Sequence, residues 1–439
     1  MTARETAVKT LIRCEQTKAY ASLVLDKKLT DGGLSDVDKA FATRLVFGTL
    51  DNQIKIDYII SAFSKIKLDK MSPTVRNSIR VAVFQIFMLD KVPDSAACDE
   101  AVELVKKSKD KHAAGFVNAV LRTIIRGKDS IKLPDREKEL ALYLSVNYSV
   151  PLWIVELWLE QYGDVEVMLA SNAEQTLSVT VNTRKISRDD FIARLTEKGF
   201  SAKAGELCER TVHLYDTGKV DKIYGFDEGL FFVQDEASAF AASLLSAEKG
   251  DTVIDLCAAP GGKTLYTAVD MDDSGRILAF DLHANKLGLL MGSAERLGLS
   301  SVSAKAGDGR AENAELLELA DRVICDAPCS GLGVMAKKPE IKMKSFDEIK
   351  GLPQIQYELL SNAAKYVKKG GTLLYSTCTL NKLENEYVVK RFLQENKSFE
   401  PLSFDAPKGL RYDEETGSIT LLPNVYGSDG FFAARMRKI

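Results

Sequence analysis

Five short apolar runs, each closing on a turn and separated by stretches with helical spacing, constrain this chain more than any other feature. They are DTVIDLC (251–257), GRILAFD (275–281), SVSAKAG (301–307), DRVICDA (321–327) and GTLLYST (371–377). Runs of this kind bounded by turn residues fit strands buried on both faces. Their alternation with helices predicts a doubly wound α/β domain of Rossmann-like type from about residue 229 to the end. In such a sheet, ligands bind outside the carboxyl ends of the strands.

Those ends carry the polar residues. The first run leads into Asp255-Leu256-Cys257-Ala258-Ala259-Pro260-Gly261-Gly262-Lys263-Thr264. Small residues and Gly-Gly allow close backbone approach, and the helix N-terminus that follows offers free N–H groups to an anionic ligand. A phosphate-binding P-loop is excluded on spacing, because it requires Gly where Cys257 stands. Asp281 ends the next strand, about 20 residues after the glycines, where a carboxylate accepts bonds from ribose hydroxyls. Asp308 follows the third run and is placed to accept the exocyclic amine of an adenine. Either aspartate alone is more often a cap or turn residue. Together at successive strand ends they outline a nucleoside pocket. The fourth and fifth strands end in Asp326-Ala327-Pro328-Cys329 and Ser376-Thr377-Cys378, which brings two cysteines to that same edge.

The chain has seven cysteines, Cys14, Cys98, Cys208, Cys257, Cys325, Cys329 and Cys378, an odd number with no C-x-x-C pair. That speaks against a disulfide framework and a structural zinc site, and the three scattered histidines supply no further ligands. No metal is expected. Cysteine is ordinarily a core residue, which suits Cys257 and Cys325. The shared edge favours catalysis for Cys329 and Cys378. The N-terminus lacks the apolar core of a signal peptide and no run reaches membrane-spanning length, so a cytoplasmic protein is expected.

Residues 1–133 read as an all-helical domain. Apolar residues recur at helical spacing in Val37, Ala40, Phe41, Leu45 and again in Ile79, Ala82, Val83, Ile86, Phe87. Ser72-Pro73 is a plausible helix start. This segment holds 23 Lys and Arg against 16 Asp and Glu, a net of +7 in a chain whose total is −3. The excess fits contact with a polyanion, or simply a solvated helical face. Residues 134–228 read as linker helices and a small α+β domain, with strands at 176–183 and 211–215 and a helix near 188–198.

Taken together, DLCAAPGGKT, DAPCSGLG and YSTCTL resemble the Sun/Fmu (RsmB) family of 16S ribosomal RNA cytosine-C5 methyltransferases. FATRLVFGTL (41–50) and GFVNAVLR (115–122) look like the NusB-type RNA-binding domain that precedes the catalytic part in that family. VNTRKIS (181–187), FVQDEAS (232–238) and SDGFFAARMRK (428–438) match as well. The resemblance implies S-adenosylmethionine as cofactor, held by Cys257, Ala258, Ala259, Pro260, Gly261, Gly262 and Lys263, with Asp281 at the ribose, Asp308 at the adenine and Asp326 beside them. It implies Cys378 as nucleophile, Cys329 as helper in product release, Asp326 as a further catalytic group, and 16S rRNA as the partner of a monomeric enzyme.

A thiol suits that chemistry. Cytosine C5 is a poor nucleophile, and a thiolate added to C6 makes it enamine-like. The chain departs from the family pattern at Glu340, Met343, Lys382 and Val150, which bears on RNA contacts more than on catalysis. A tRNA cytosine-C5 methyltransferase and a non-catalytic RNA-binding assembly factor remain as alternatives, the latter opposed by the intact cysteines and Gly-Gly loop.

Overall fold

The computed structural model describes residues 1–17, 19–170 and 176–439. It forms two compact units, one of Met1–Ala170 with Lys338–Lys344, the other of 171–337 with 345–439.

The first unit is helical. Its central helix, Pro73–Met88, is buried almost all round from Val75 to Ile86, the polar Asn77, Ser78, Arg80 and Gln85 included. Ser72 caps it by accepting from the Val75 amide at 3.3 Å, with Pro73 in the first turn. Arg80, buried in this helix, is matched by the carboxylates of Glu15 and Asp57, each at 2.7 Å. A charge so placed is tolerable only when paired. Of the expected stripe, Ile79, Ala82, Val83 and Ile86 are buried and Phe87 is half-buried. In the other set Ala40 is exposed, and Val37 is 80% exposed. It lies in the first turn of the helix Asp36–Asp51, whose buried residues begin only at Ala42.

Residues 338–344 also belong to this unit. They form a 3₁₀ turn, Pro339–Met343, with Pro339 and Ile341 buried. Lys342 donates to the Asp51 carbonyl at 3.1 Å, and the Trp153 indole donates to the Lys344 carbonyl at 3.2 Å. Glu340 is thus half-buried in this turn, whereas Met343 is exposed. Val150 is buried here too, and its carbonyl accepts from Ser145 at 2.7 Å.

The second unit contains two sheets. The smaller has strands β1 (Leu177–Val181), β2 (Ser201–Ala204), β3 (Thr211–Tyr215) and β4 (Phe231–Val233), antiparallel in the order β2-β3-β1-β4, with the helix Arg188–Glu197 between β1 and β2. The larger contains β5 (Thr252–Asp255), β6 (Arg276–Asp281), β7 (Val302–Ala306), β8 (Ala320–Asp326), β9 (Val367–Thr377), β10 (Phe399–Pro401), β11 (Arg411–Asp413), β12 (Ser418–Leu421) and β13 (Phe431–Lys438). Its order is β11-β12-β13-β9-β8-β5-β6-β7, with β10 on β13. Strands β5 to β9 are the five parallel strands read from the sequence.

To these parallel strands β10 to β13 add an antiparallel wing. The chain runs outward from β5 to β7, then returns to start β8 on the other side of β5. Order therefore reverses between β5 and β8, the place where an open α/β sheet leaves a crevice. Among the described residues no helix is long and apolar enough to cross a membrane.

Candidate active site

The crevice begins with the turn after β5. Asp255 is buried at the strand end and accepts from the Thr264 hydroxyl at 2.6 Å and the Cys257 amide at 3.4 Å. Burial pushes its carboxyl up to about 7. It ties the two ends of the Cys257–Lys263 turn together. Gly261 holds φ at +119°, a conformation L side chains rarely adopt, and a Cβ there would lie 2.4 Å from Leu290. The helix Gly262–Asp270 starts directly behind it. Asp281, largely buried, accepts from the Ala259 amide at 3.2 Å and the His283 amide at 2.9 Å. Each oxygen keeps a lone pair for a further donor.

A cavity of about 210 Å³ opens beyond β5 to β7, lined among others by Leu256, Phe280, Gly307, Asp308 and Tyr366. Asp308 is gripped by the Arg310 guanidinium at 2.8 Å and the Arg310 amide at 3.0 Å, which hold its carboxyl below the usual range.

Lys263 is buried and reaches across the switch point. Its ammonium donates to Asp326 Oδ2 at 2.7 Å and to the Ser238 hydroxyl at 3.1 Å, and it lies 4.8 Å from the centre of the Phe431 ring. Asp326 Oδ1 accepts from the Ser376 hydroxyl at 2.7 Å. The carboxylate of β8 is thus fixed by residues from two other segments of the sheet edge, while a third of its side chain stays exposed.

The two edge cysteines meet. Cys329 Sγ and Cys378 Sγ lie 3.3 Å apart, and both residues are partly exposed. Cys14, Cys98, Cys208 and Cys325 are buried; Cys257 is partly exposed, with burial pushing its thiol up. The thiol of Cys329 is pushed well above its ordinary value, first by its hydrogen bond to Cys378 and then by burial.

What holds the pair is a residue that sequence reasoning missed. Glu384 is fully buried between the two cysteine loops. It accepts from the Ser330 amide at 2.8 Å, the Ser330 hydroxyl at 2.5 Å, Gln356 at 2.9 Å and Asn381 at 3.0 Å. Gln356 also donates to the Pro328 carbonyl at 3.0 Å, and Ser330 and Thr379 share a 2.7 Å bond. The backbones themselves close up: Gly333 N–H donates to the Cys378 carbonyl at 3.0 Å, and a Cβ on Gly333 would lie 2.0 Å from the Gly430 oxygen.

Three stretches of the chain match known families. Residues 242–437 match the family described as 16S rRNA methyltransferase RsmB/F, residues 1–126 the NusB family, and residues 150–221 the RsmF/B-like ferredoxin-like domain. The probable ribosomal RNA small subunit methyltransferase B of Bacillus subtilis is 37% identical over 99% of this chain and 98% of its own. The corresponding Synechocystis protein is 34% identical over the whole of both chains. The chain belongs to the RsmB/F family of 16S rRNA methyltransferases.

Among solved structures, PH0851 matches with a TM-score of 0.84 and 27% identity, over 100% of this chain and 99% of its own. A methyltransferase homologue from Pyrococcus horikoshii matches with a TM-score of 0.60 and 28% identity, over 68% and 99%. The methyl donor of the RsmB/F family is S-adenosylmethionine. This chain's residues fit it: a cavity flanked by Leu256, Phe280 and Tyr366 suits a flat base, Asp308 stands at its wall, and Asp281 has acceptor capacity for a diol.

Proposed function

We propose that the chain methylates C5 of a cytosine in 16S rRNA through a covalent bond between Cys378 Sγ and C6 of the base. The observation that carries this reading is the 3.3 Å approach of Cys378 and Cys329 beside the Lys263–Asp326 pair at the switch point. Bound S-adenosylmethionine supplies an electrophilic methyl group, held by Cys257 to Lys263, Asp281, Asp308 and Asp326. Cys378 adds to C6 and turns C5 into a nucleophile. Addition puts negative charge on the N3 side of the base, and Asp326, fixed by Lys263 and Ser376, is the group that, in its acid form, hands a proton to N3 and takes it back on elimination. After methyl transfer the C5 proton leaves to a base, and the C6–S bond breaks. Cys329 keeps its proton near neutral pH and donates it as a hydrogen bond to the departing sulfur. The enzyme works as a cytoplasmic monomer.

Methyl-transfer assays on 16S rRNA and tRNA side by side, with bisulfite mapping of the product, test this reading. A C5-methylated cytosine in 16S rRNA is expected. Transfer to tRNA alone, or to another atom, overturns it.

Asp281→Ala is expected to weaken cofactor binding by about ten- to a hundredfold, the effect of losing one or two hydrogen bonds to a charged acceptor. Calorimetry reads this directly, and unchanged affinity removes Asp281 from the ribose.

The helical unit is proposed to add electrostatic RNA affinity. Lys107, Lys109 and Lys111 form an exposed basic run at the end of the helix Asp94–Lys106. Replacing all three by alanine in the full chain is expected to flatten the dependence of log K on log salt by about 0.7–0.9 for each phosphate that these lysines neutralise. An identical slope in filter binding places the RNA elsewhere.

A further inference from the structure

We propose that Cys329 and Cys378 are a modification site for hydroperoxides, closing to an intramolecular disulfide that switches methyl transfer off and is reopened by thiols. The inference rests on the proposed function for its activity readout, though not for the linkage itself.

Two features carry it. The sulfurs are 3.3 Å apart, so a bond of about 2.05 Å needs a closure of only about 1.2 Å. The approach is also enforced, because the two loops are tied by the Gly333–Cys378 backbone bond, the Ser330–Thr379 hydroxyl bond and the buried Glu384. Cysteines on independently moving loops would spend little time so close. These two are held together by the fold itself.

Selectivity follows from exposure and charge. Susceptibility to peroxide tracks thiolate character and access. Four of the other cysteines are buried, and the thiol of Cys257 is pushed up by burial and by the neighbouring Cys325, Asp255 and Asp326. Within the pair, the hydrogen bond to Cys378 and burial push the Cys329 thiol well above its ordinary value, and Cys378, the nucleophile of the proposed function, is the sulfur assigned to react first.

The chemistry balances in two steps. The Cys378 thiolate attacks one peroxide oxygen; an S–O bond forms, the O–O bond breaks, and hydroxide leaves. The Cys378 sulfenic acid is then attacked by the Cys329 sulfur, which gives up its proton. The S–S bond forms, the S–O bond breaks, and water leaves. Overall two thiols and one hydrogen peroxide give one disulfide and two waters, with two electrons passing from sulfur to oxygen. Cys329 thereby protects its partner from irreversible oxidation to the sulfinic acid.

The test uses the full chain and hydrogen peroxide at a small molar excess. After quenching, non-reducing peptide mass spectrometry is expected to show the Cys329 and Cys378 peptides joined, two hydrogens lighter than their reduced sum. Methyl transfer should fall in step with that linkage and return with dithiothreitol. The Cys329→Ser variant, followed by mass alone, is expected to accumulate sulfinic acid at Cys378 under the same dose. Inactivation with Cys378 oxidised and Cys329 still a free thiol overturns the proposal and leaves the nucleophile assignment standing. Full linkage with methyl transfer retained overturns the nucleophile assignment, and the switch with it.

Discussion

Cys378→Ala is expected to abolish methyl transfer and to give no covalent RNA adduct, whereas Cys329→Ala is expected to trap one. The order follows from the reaction: addition to C6 precedes elimination, so only a protein that can attack can become stuck. In the Cys329→Ala protein the departing Cys378 sulfur loses the thiol that stands 3.3 Å away. The methylated RNA then stays on the enzyme as a thioether. Denaturing electrophoresis should show a retarded band that nuclease removes. The double variant should show none. An adduct in Cys378→Ala with none in Cys329→Ala reverses the two roles. Normal turnover in Cys378→Ala dismisses it as nucleophile.

Glu384→Ala is expected to be the most damaging substitution outside the residues that touch substrate. It strips the acceptor from four buried donors on Ser330, Gln356 and Asn381. An unmet buried donor costs about 1–3 kcal/mol. Water entering the space offsets part of this, so a loss of about 3–5 kcal/mol is expected in urea unfolding. The surviving native protein should transfer methyl groups at least about a hundredfold more slowly, because small misplacements of reacting groups are costly. Glu384→Gln keeps the volume but turns an amide NH₂ toward donors, and should fall between. The reactivity of Cys378 toward a thiol reagent should shift in both variants, which a purely global loss of stability would not produce under native conditions. Unchanged unfolding midpoints and rates would strike Glu384 from the site.

Much of the site was legible because its residues sit at the ends of strands whose apolar runs stand out. Asp255, Asp281, Asp326 and the two cysteines each close such a run, and topology then brings the runs together. The antiparallel wing was not legible. β10 to β12 are three or four residues long, and β13 contains Ala-Ala-Arg-Met-Arg-Lys, residues that favour helices on their own. It becomes a strand by pairing with β9, from Phe432 against Thr377 to Arg437 against Thr372. Glu384 was hidden for a different reason. A glutamate among Asn and Lys ordinarily marks a solvated helix start, and Ser330, which it binds, lies 54 residues away. The only local hint is its position six residues after Cys378. Val37 misled because helical spacing says which side of a helix is apolar, but not at which turn the helix enters the core.

The packing of residues 338–344 with the helical unit has a consequence for how the protein is made. Pro339 and Ile341 fill that unit, yet they are translated long after its other residues, which end at Ala170. At about 5–20 residues per second, the ribosome needs on the order of 10–35 s to go from one to the other. Throughout that interval the nascent helical unit lacks its last piece, with the Asp51 carbonyl and the Trp153 indole still without Lys342 and Lys344. A unit that begins first in the chain therefore finishes late, only after Cys329 and the strands before it have left the ribosome.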